Sequence, residues 1–207
     1  SAALKEKIGG FSTVSLEKVT ALKPDLIVAS EGNNPDTVER LRTLGFPVFL
    51  VDCTSMEDIL STLETLGTLT GRSEQASRLI QELKERSDTV RVQGAELSRH
   101  PTVAHVVWND PLYVSGGGTF QDELIRISGG VNAFADKDSH QIVGVEEFLS
   151  ANPDLLLINS GSGMGGDDSD IASWFSQEPR LSGLKAVKEN HIILVNSDMA
   201  DRAGPRL

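Results

Sequence analysis

At 207 residues, with 39% hydrophobic and 24% charged residues, the chain has the composition of a globular protein that can bury a core. Its formal net charge of −11 excludes nucleic acid as an expected partner, because a phosphate backbone requires a basic protein surface. No apolar run approaches the ~18 residues of a membrane-spanning helix. The first residues contain no apolar signal region, so we expect any export signal to have been removed or to lie outside this sequence.

The first part of the chain alternates predicted helices with short apolar strands, which is typical of a parallel α/β layer. In chain order the predicted elements are helix Leu16–Leu22, strand Leu26–Ser30, helix Pro35–Leu44, strand Val48–Asp52 and helix Met56–Leu69. Asn34 before Pro35 is a favourable helix start, and Ser55 with Asp58 resembles a capping box. Two strands are few for an independent sheet.

The sequence contains one cysteine, Cys53, which excludes a disulfide within the chain and leaves the redox compartment undetermined. This residue follows the apolar run Val48–Val51. We therefore expect Cys53 to be a small buried core residue.

The segment Ser73–Leu97 has the pattern of one long helix. Apolar residues recur in it at helical spacing, and charged or amide side chains fill the positions between them. The apolar positions are Ala76, Leu79, Ile80, Leu83, Val90 and Leu97. A helix of roughly 25 residues spans about 37 Å, and we interpret it as a rigid connector between two lobes. The alternative is an ordinary surface helix of a single domain.

Strands and short helices return after this segment. The predicted elements are strand Thr102–Trp108, the apolar segment Leu112–Val114, a helix capped by Thr119 that ends at Ile127, a helix and strand within Val145–Asn159, a helix near Ile171–Phe175 and strand Ile192–Val195. Two polar loops interrupt them, at Gly116–Gly118 and at Gly161–Asp170.

Two stretches of the chain, Val14–Gly32 and Val143–Gly161, have nearly the same sequence 129 residues apart. In register, Glu17 falls on Glu146, and each copy reads as a short helix, a Pro-Asp turn, an apolar strand and a glycine. A duplication at this distance indicates two similar lobes with a ligand-binding cleft between them. We expect an N-terminal lobe at 1–72, a connecting helix at 73–98 and a C-terminal lobe at 99–207.

Five motifs in this order resemble the class III periplasmic substrate-binding proteins of ABC importers, which capture cobalamin, ferric siderophores and haem. The motifs are Gly9-Gly10-Phe11, SLEKVTALKPDLIVAS (Ser15–Ser30), VDCTSMEDI, YVSGGGTFQDELIRISGGVNAFAD (Tyr113–Asp136) and NSDMADRAGPRL. The resemblance implies two α/β lobes joined by one long rigid helix. It also implies a location in the periplasm or on the extracellular surface of the membrane, capture of a metal chelate, and delivery of that chelate to an ABC permease.

The family normally has a strand and helix before Gly9-Gly10 and a helix after Leu207, and relative to that pattern the first lobe is incomplete. The incompleteness leaves two alternatives open: a shortened chain, or a gap filled by another chain through swapping or dimer formation.

The resemblance assigns permease docking to Glu17 and Glu146, because the family uses one glutamate on each lobe to bind arginine pockets of the permease. Two carboxylates held apart on a rigid body form a two-point electrostatic contact. The alternative is that each glutamate only complements a helix dipole.

The resemblance also places ligand-facing residues at Phe11 and His140, which occupy matching positions before the two glutamates. Phe11 is expected to form an apolar wall, and His140 to contact a ligand carboxylate or a chelated metal. Trp108 and Tyr113 follow the first strand of the second lobe, where open α/β sheets bind ligands, and their rings suit a corrin, porphyrin or catecholate. Core packing is the alternative for both.

By the same logic, Ser30 and Glu31 follow the first repeated strand, and Met199 and Arg202 follow the last strand. The mixed polarity of Ser30, His140 and Met199 favours a ferric siderophore as ligand, before cobalamin or haem. We predict no enzymatic activity, no metal site and no bound cofactor. The alternatives are a bilobal metallo-enzyme or chelatase-like protein using His140 with Glu31, and a degenerate binding or sensor domain.

Overall fold

The computed structural model describes residues 5–10, 13–160 and 169–205. The chain divides into two compact units, Ser1–Asp52 and Cys53–Leu207. The lobe boundaries drawn from the sequence, 1–72, 73–98 and 99–207, stay a prediction. Helices alternate with strands in both units, which confirms the α/β fold class.

The first unit contains two helices and a two-stranded parallel sheet. Its elements are α1 (Leu16–Leu22), β1 (Ile27–Ser30), α2 (Pro35–Thr43) and β2 (Val48–Val51). The side chain of Ser15 accepts from Lys18 N at the start of α1, and that of Asn34 accepts from Thr37 N at the start of α2. These bounds agree with the sequence prediction to within one residue.

The second unit contains the remaining elements of the described chain. They are α3 (Met56–Leu69), α4 (Ser73–Ala95), β3 (Thr102–Asn109), β4 (Leu112–Ser115), α5 (Phe120–Ile127), β5 (Val131–Asn132), β6 (His140–Ile142), α6 (Val145–Ala151), β7 (Leu155–Ser160), α7 (Ser169–Gln177), a 3₁₀ turn (Pro179–Leu181), α8 (Lys185–Lys188), β8 (Ile192–Asn196) and α9 (Ser197–Ala200). The predicted long helix is present as α4, which packs against α3 and α5. Its role as a connector stays a prediction.

The sheet of the second unit is mixed. Its strand order is β6-β4-β3-β7-β8, with β5 paired to β3. Strand β3 pairs in parallel with β5 and β7, and β7 pairs in parallel with β8. Strand β4 is antiparallel to both of its neighbours, β3 and β6. The sequence did not predict β5 and β6, because strands of two and three residues are too short to show an alternating pattern.

One face of this sheet carries the main core. The buried side chains Ala104, Val106, Leu156 and Ile158 contribute to it from β3 and β7. Phe148 of α6, Phe175 of α7 and Phe134, which follows β5, pack in the same core. The ring centroid of Phe148 lies 5.4 Å from that of Phe134 and 5.5 Å from that of Phe175. This core holds β3 and β7 in place, and polar residues of the candidate site lie on the same two strands.

The two copies of the sequence repeat have the same local structure. Helices α1 and α6 are both seven residues long, and each buries a single residue, Val19 in one and Phe148 in the other. Each ends at a residue in the left-handed region, Lys23 (φ 46°) or Asn152 (φ 38°). The strands that follow, β1 and β7, belong to separate sheets, as the duplication predicts.

The prediction for Cys53 was wrong. The residue is only half-buried, and its Sγ lies 3.5 Å from the hydroxyl of Thr62. The reason is that β2 ends at Val51, so Cys53 has already left the sheet whose apolar run suggested burial.

Helix α4 approaches the end of α5 closely at Gly94. A Cβ added there would lie 2.7 Å from both Gly129 N and Ser128 C, which are backbone atoms. Gly94→Ala is therefore expected to lower the free energy of unfolding by about 2 kcal/mol, measured by urea denaturation. Gly183→Ala is the matched control, since no atom lies within 4 Å of its added Cβ. Equal stability of the two variants would contradict this close packing.

Candidate functional site

A chain of polar side chains crosses the second unit between strands β4, β3 and β7. The imidazole of His105 on β3 is 2% exposed, with Nδ1 2.8 Å from the Ser115 hydroxyl and Nε2 2.9 Å from Asn159 Oδ1. Since a carbonyl oxygen only accepts, Nε2 carries the proton and Nδ1 accepts from Ser115. Burial lowers the pKa of His105 to about 4, so the ring is neutral at pH 7.

This chain ends on the carboxylate of Asp201, which follows α9. Asn159 Nδ2 donates to Asp201 Oδ2 at 2.6 Å, and Gln121 Nε2 donates to Oδ1 at 3.2 Å. Burial raises the pKa of Asp201, while the two amide donors and the nearby His140 oppose that change. We call Ser115, His105, Asn159 and Asp201 the His105 relay.

His140 and Tyr113 form an aromatic pair on the neighbouring strands. Their ring centroids are 5.7 Å apart with an interplanar angle of 30°, and both side chains are half-buried. Burial lowers the pKa of His140, and the charge of Asp201 opposes the change. The structure thus brings two predicted ligand-facing residues together beside Asp201, on the second unit alone.

Three other predicted ligand residues of this unit lie near its surface. Trp108 is half-buried, packs against the core and donates its indole N–H to Asp110 O at 3.0 Å. Met199 is exposed. Arg202 forms an ion pair with Asp198 at 3.0 Å, so its guanidinium already has an anionic partner.

In the first unit, Ser30 is the last residue of β1 and Glu31 follows it, and both are exposed. A hydrogen bond that the protonated Glu31 donates to Asp52, together with the negative charge of the Asp52 carboxylate, raises the pKa of Glu31. Glu31 and Asp52 therefore form a carboxyl pair after the ends of β1 and β2. Phe11 lies outside the described residues.

The two proposed docking glutamates occupy the same place in their helices. Glu17 lies in the first turn of α1 and Glu146 in the first turn of α6, and both are exposed. Each precedes by two residues the single side chain that its helix buries. The carboxylates consequently point away from the packed face of each helix.

Two amides of the Gly116–Gly118 loop are already hydrogen-bonded to the backbone of the same unit. Gly116 N donates to Ser139 O at 2.8 Å and Gly117 N donates to Lys137 O at 2.7 Å.

In the part of the chain that the structure describes, no three His, Cys, Asp or Glu side chains are arranged to hold a metal ion. No helix within the same residues is both long and apolar enough to cross a membrane. The loop carboxylates Asp167 and Asp168 lie outside the described residues.

Comparisons with known proteins identify the family. The family model described as "Periplasmic binding protein" matches residues 2–199. A curated relative, the vitamin B12-binding protein of Yersinia pestis (strain Pestoides F), is 29% identical over 209 residues, which cover 100% of this chain and 70% of the relative. The structure of the periplasmic vitamin B12 binding protein of Vibrio cholerae aligns with a TM-score of 0.81 and 25% identity over 99% of this chain and 78% of that one.

A second solved structure is similar to the same extent. It is a possible iron-binding (periplasmic solute-binding) protein from Staphylococcus epidermidis ATCC 12228, with a TM-score of 0.78 and 27% identity over 94% of this chain and 76% of that one. These matches confirm the resemblance to class III substrate-binding proteins of ABC importers. The chain belongs to the periplasmic binding protein family.

Proposed function

We propose that the chain is the extracytoplasmic substrate-binding component of an ABC importer, which captures a metal chelate and delivers it to a permease. The observation that carries the proposal is the duplicated helix–turn–strand unit, which presents one exposed glutamate in each compact unit. Two such carboxylates suit simultaneous contact with two basic pockets of a membrane partner.

The ligand-facing surface of the second unit suits a large metal chelate. Tyr113 and His140 offer a stacked pair of rings, and aromatic rings supply extensive contact at a low entropic cost. The relatives named for vitamin B12 support cobalamin, and the relative named for iron supports a ferric chelate. The mixed polarity of Ser30, His140 and Met199 favours a ferric siderophore, and haem is the third candidate. A dimer formed through the first lobe stays a prediction.

A thermal-shift panel tests this function. The protein is melted with cyanocobalamin, haemin, several ferric siderophores and free metal ions. A ligand at 100 times its Kd stabilises the folded state by about 2.7 kcal/mol, which corresponds to a rise of roughly 5–11 °C in Tm for a chain of this size. We expect such a rise with one class of chelate and none with free metal ions.

Two other outcomes contradict the proposal. Silence with every chelate favours a degenerate or sensor domain that has no transported ligand. Chemical conversion of a chelate during the incubation, detected by its absorption spectrum, favours a metallo-enzyme instead.

A further inference from the structure

Asp201 has accepting capacity that its protein partners do not use. An ionised carboxylate offers about four lone-pair positions, and the donors Asn159 and Gln121 bind one oxygen each. The neighbouring Arg202 forms its ion pair with Asp198. The Asp201 residue reaches the surface, although its carboxylate is partly desolvated, and it lies near His140, so a donor group on a bound ligand can approach the carboxylate.

His105 determines how Asn159 faces Asp201. The proton on His105 Nε2 points to Asn159 Oδ1, which leaves the Nδ2 group of the same amide to donate to Asp201. Ser115 fixes the tautomer from the opposite side by donating to Nδ1. An amide in this position without His105 has no buried donor to hold its orientation.

His105 projects from the face of β3 opposite to the main apolar core, because its strand neighbours Ala104 and Val106 are the residues that face that core. A buried polar group in such a strand costs free energy unless it is hydrogen-bonded. The three relay hydrogen bonds satisfy the buried polar groups of His105 and Asn159, and the last of them holds the Asp201 carboxylate.

We propose that Asp201 selects the bound chelate by its charge and hydrogen-bond donors, and that His105 is a positioning residue that holds Asp201 through Asn159. The inference rests on the proposed function and names the chemistry of its ligand. That ligand is a neutral or cationic chelate that presents N–H or O–H donors. A corrinoid with peripheral amides and a cationic ferric trihydroxamate share this chemistry. Chelates that carry carboxylates or catecholates are repelled by Asp201.

The first experiment compares the parent protein with Asp201→Asn, which keeps the shape of the side chain and removes its charge. Affinities are measured by titration calorimetry for cyanocobalamin, ferrioxamine B, haemin and ferric enterobactin. We expect the parent to bind cyanocobalamin or ferrioxamine B, and Asp201→Asn to weaken that binding about tenfold. The parent is expected to bind haemin and ferric enterobactin more weakly than its preferred chelate. Asp201→Asn is expected to bind these two anionic chelates at least as tightly as the parent does.

The second experiment separates positioning from general stability. His105→Leu is expected to weaken chelate binding about fivefold, whereas His105→Gln, which retains an N–H donor, is expected to lie closer to the parent. In the Asp201→Asn background, His105→Leu is expected to add no further loss, since its effect passes through that carboxylate. Ser115→Ala is expected to weaken binding less than His105→Leu does, because the imidazole keeps its hydrogen bond to Asn159 when the serine hydroxyl is removed.

The outcomes distinguish this inference from the proposed function. If a chelate binds and Asp201→Asn leaves its affinity unchanged, or if the parent prefers an anionic chelate, the inference is wrong and the transport function stands. If His105→Leu weakens binding equally in both backgrounds, the histidine acts only on stability. If no chelate binds the parent, the proposed function fails and this inference fails with it.

Discussion

Replacing Glu17 and Glu146 together by alanine is expected to abolish permease-dependent uptake and to leave the affinity for the chelate unchanged. Both carboxylates are exposed in the first turn of matching helices, on the side away from the packed face. Truncating one partner of a charge pair at an interface costs about 2–5 kcal/mol, so loss of both contacts weakens docking by several orders of magnitude. Uptake by reconstituted vesicles and calorimetric titration of the chelate measure the two quantities.

The matched control is the double variant Asp36→Ala with Glu57→Ala. These residues are also exposed acids in the first turn of a helix, α2 or α3. If the repeat glutamates only complement helix dipoles, both double variants lose about 0.3–1 kcal/mol of stability per site and both retain uptake. Uptake lost only in the Glu17 and Glu146 variant supports docking.

Asp154→Asn is expected to cause the largest loss of stability, at about 3 kcal/mol. The side chain is only 13% exposed and accepts from Arg99 Nη2 at 2.6 Å, Lys185 Nζ at 2.5 Å and Thr102 N at 2.9 Å. An amide in its place leaves two cations without their shared partner. For a chain of this size the change corresponds to roughly 6–12 °C in Tm, measured by circular dichroism.

The sequence repeat supplies the control for this variant. Asp25 is the counterpart of Asp154 in the first copy, and it is exposed. Asp25→Asn is expected to change stability by less than about 0.5 kcal/mol. A comparable loss in both variants would show that the turn itself, rather than the ion pairs, requires aspartate.

The same carboxylate sets a pH dependence. The hydrogen bond from Lys185 and the backbone N–H of Thr102 hold the pKa of Asp154 well below its usual range, although burial opposes them. A depressed pKa in the folded state stabilises the protein above the unfolded pKa of about 3.9. That contribution declines as the pH falls below this value. The stability difference between parent and Asp154→Asn should therefore shrink below about pH 4.

Helix caps and the repeated unit were predictable from the sequence, because all the residues that define each of them lie within one short segment. Asn34, Ser55 and Thr119 cap their helices as expected, because the cap and the amide it accepts from are three residues apart. The duplicated unit was predictable for the same reason. Tyr113 and His140 were both singled out, but their stacking depends on the pairing of β4 with β6, which has no sequence signature.

The His105 relay was missed for a different reason. His105, Asn159 and Asp201 come from separate elements, and only the parallel pairing of β3 with β7 brings the first two together. One signal was present: a histidine inside an apolar strand requires a hydrogen-bond partner. The repeated Pro-Asp turn gives a second example. Asp25 and Asp154 occupy matching positions, but the sequence does not show that Asp154 binds both Arg99 and Lys185.

The left-handed residues Lys23 and Asn152 stop both repeated helices at seven residues. Helical geometry then sets the same rotation between each glutamate and the residue that its helix buries two positions later. The ends of the two strands differ in sequence, since Ser30-Glu31 in the first copy corresponds to Asn159-Ser160 in the second. In the proposed function, the residues that select the ligand can therefore change while the two glutamates keep their positions on matching helices.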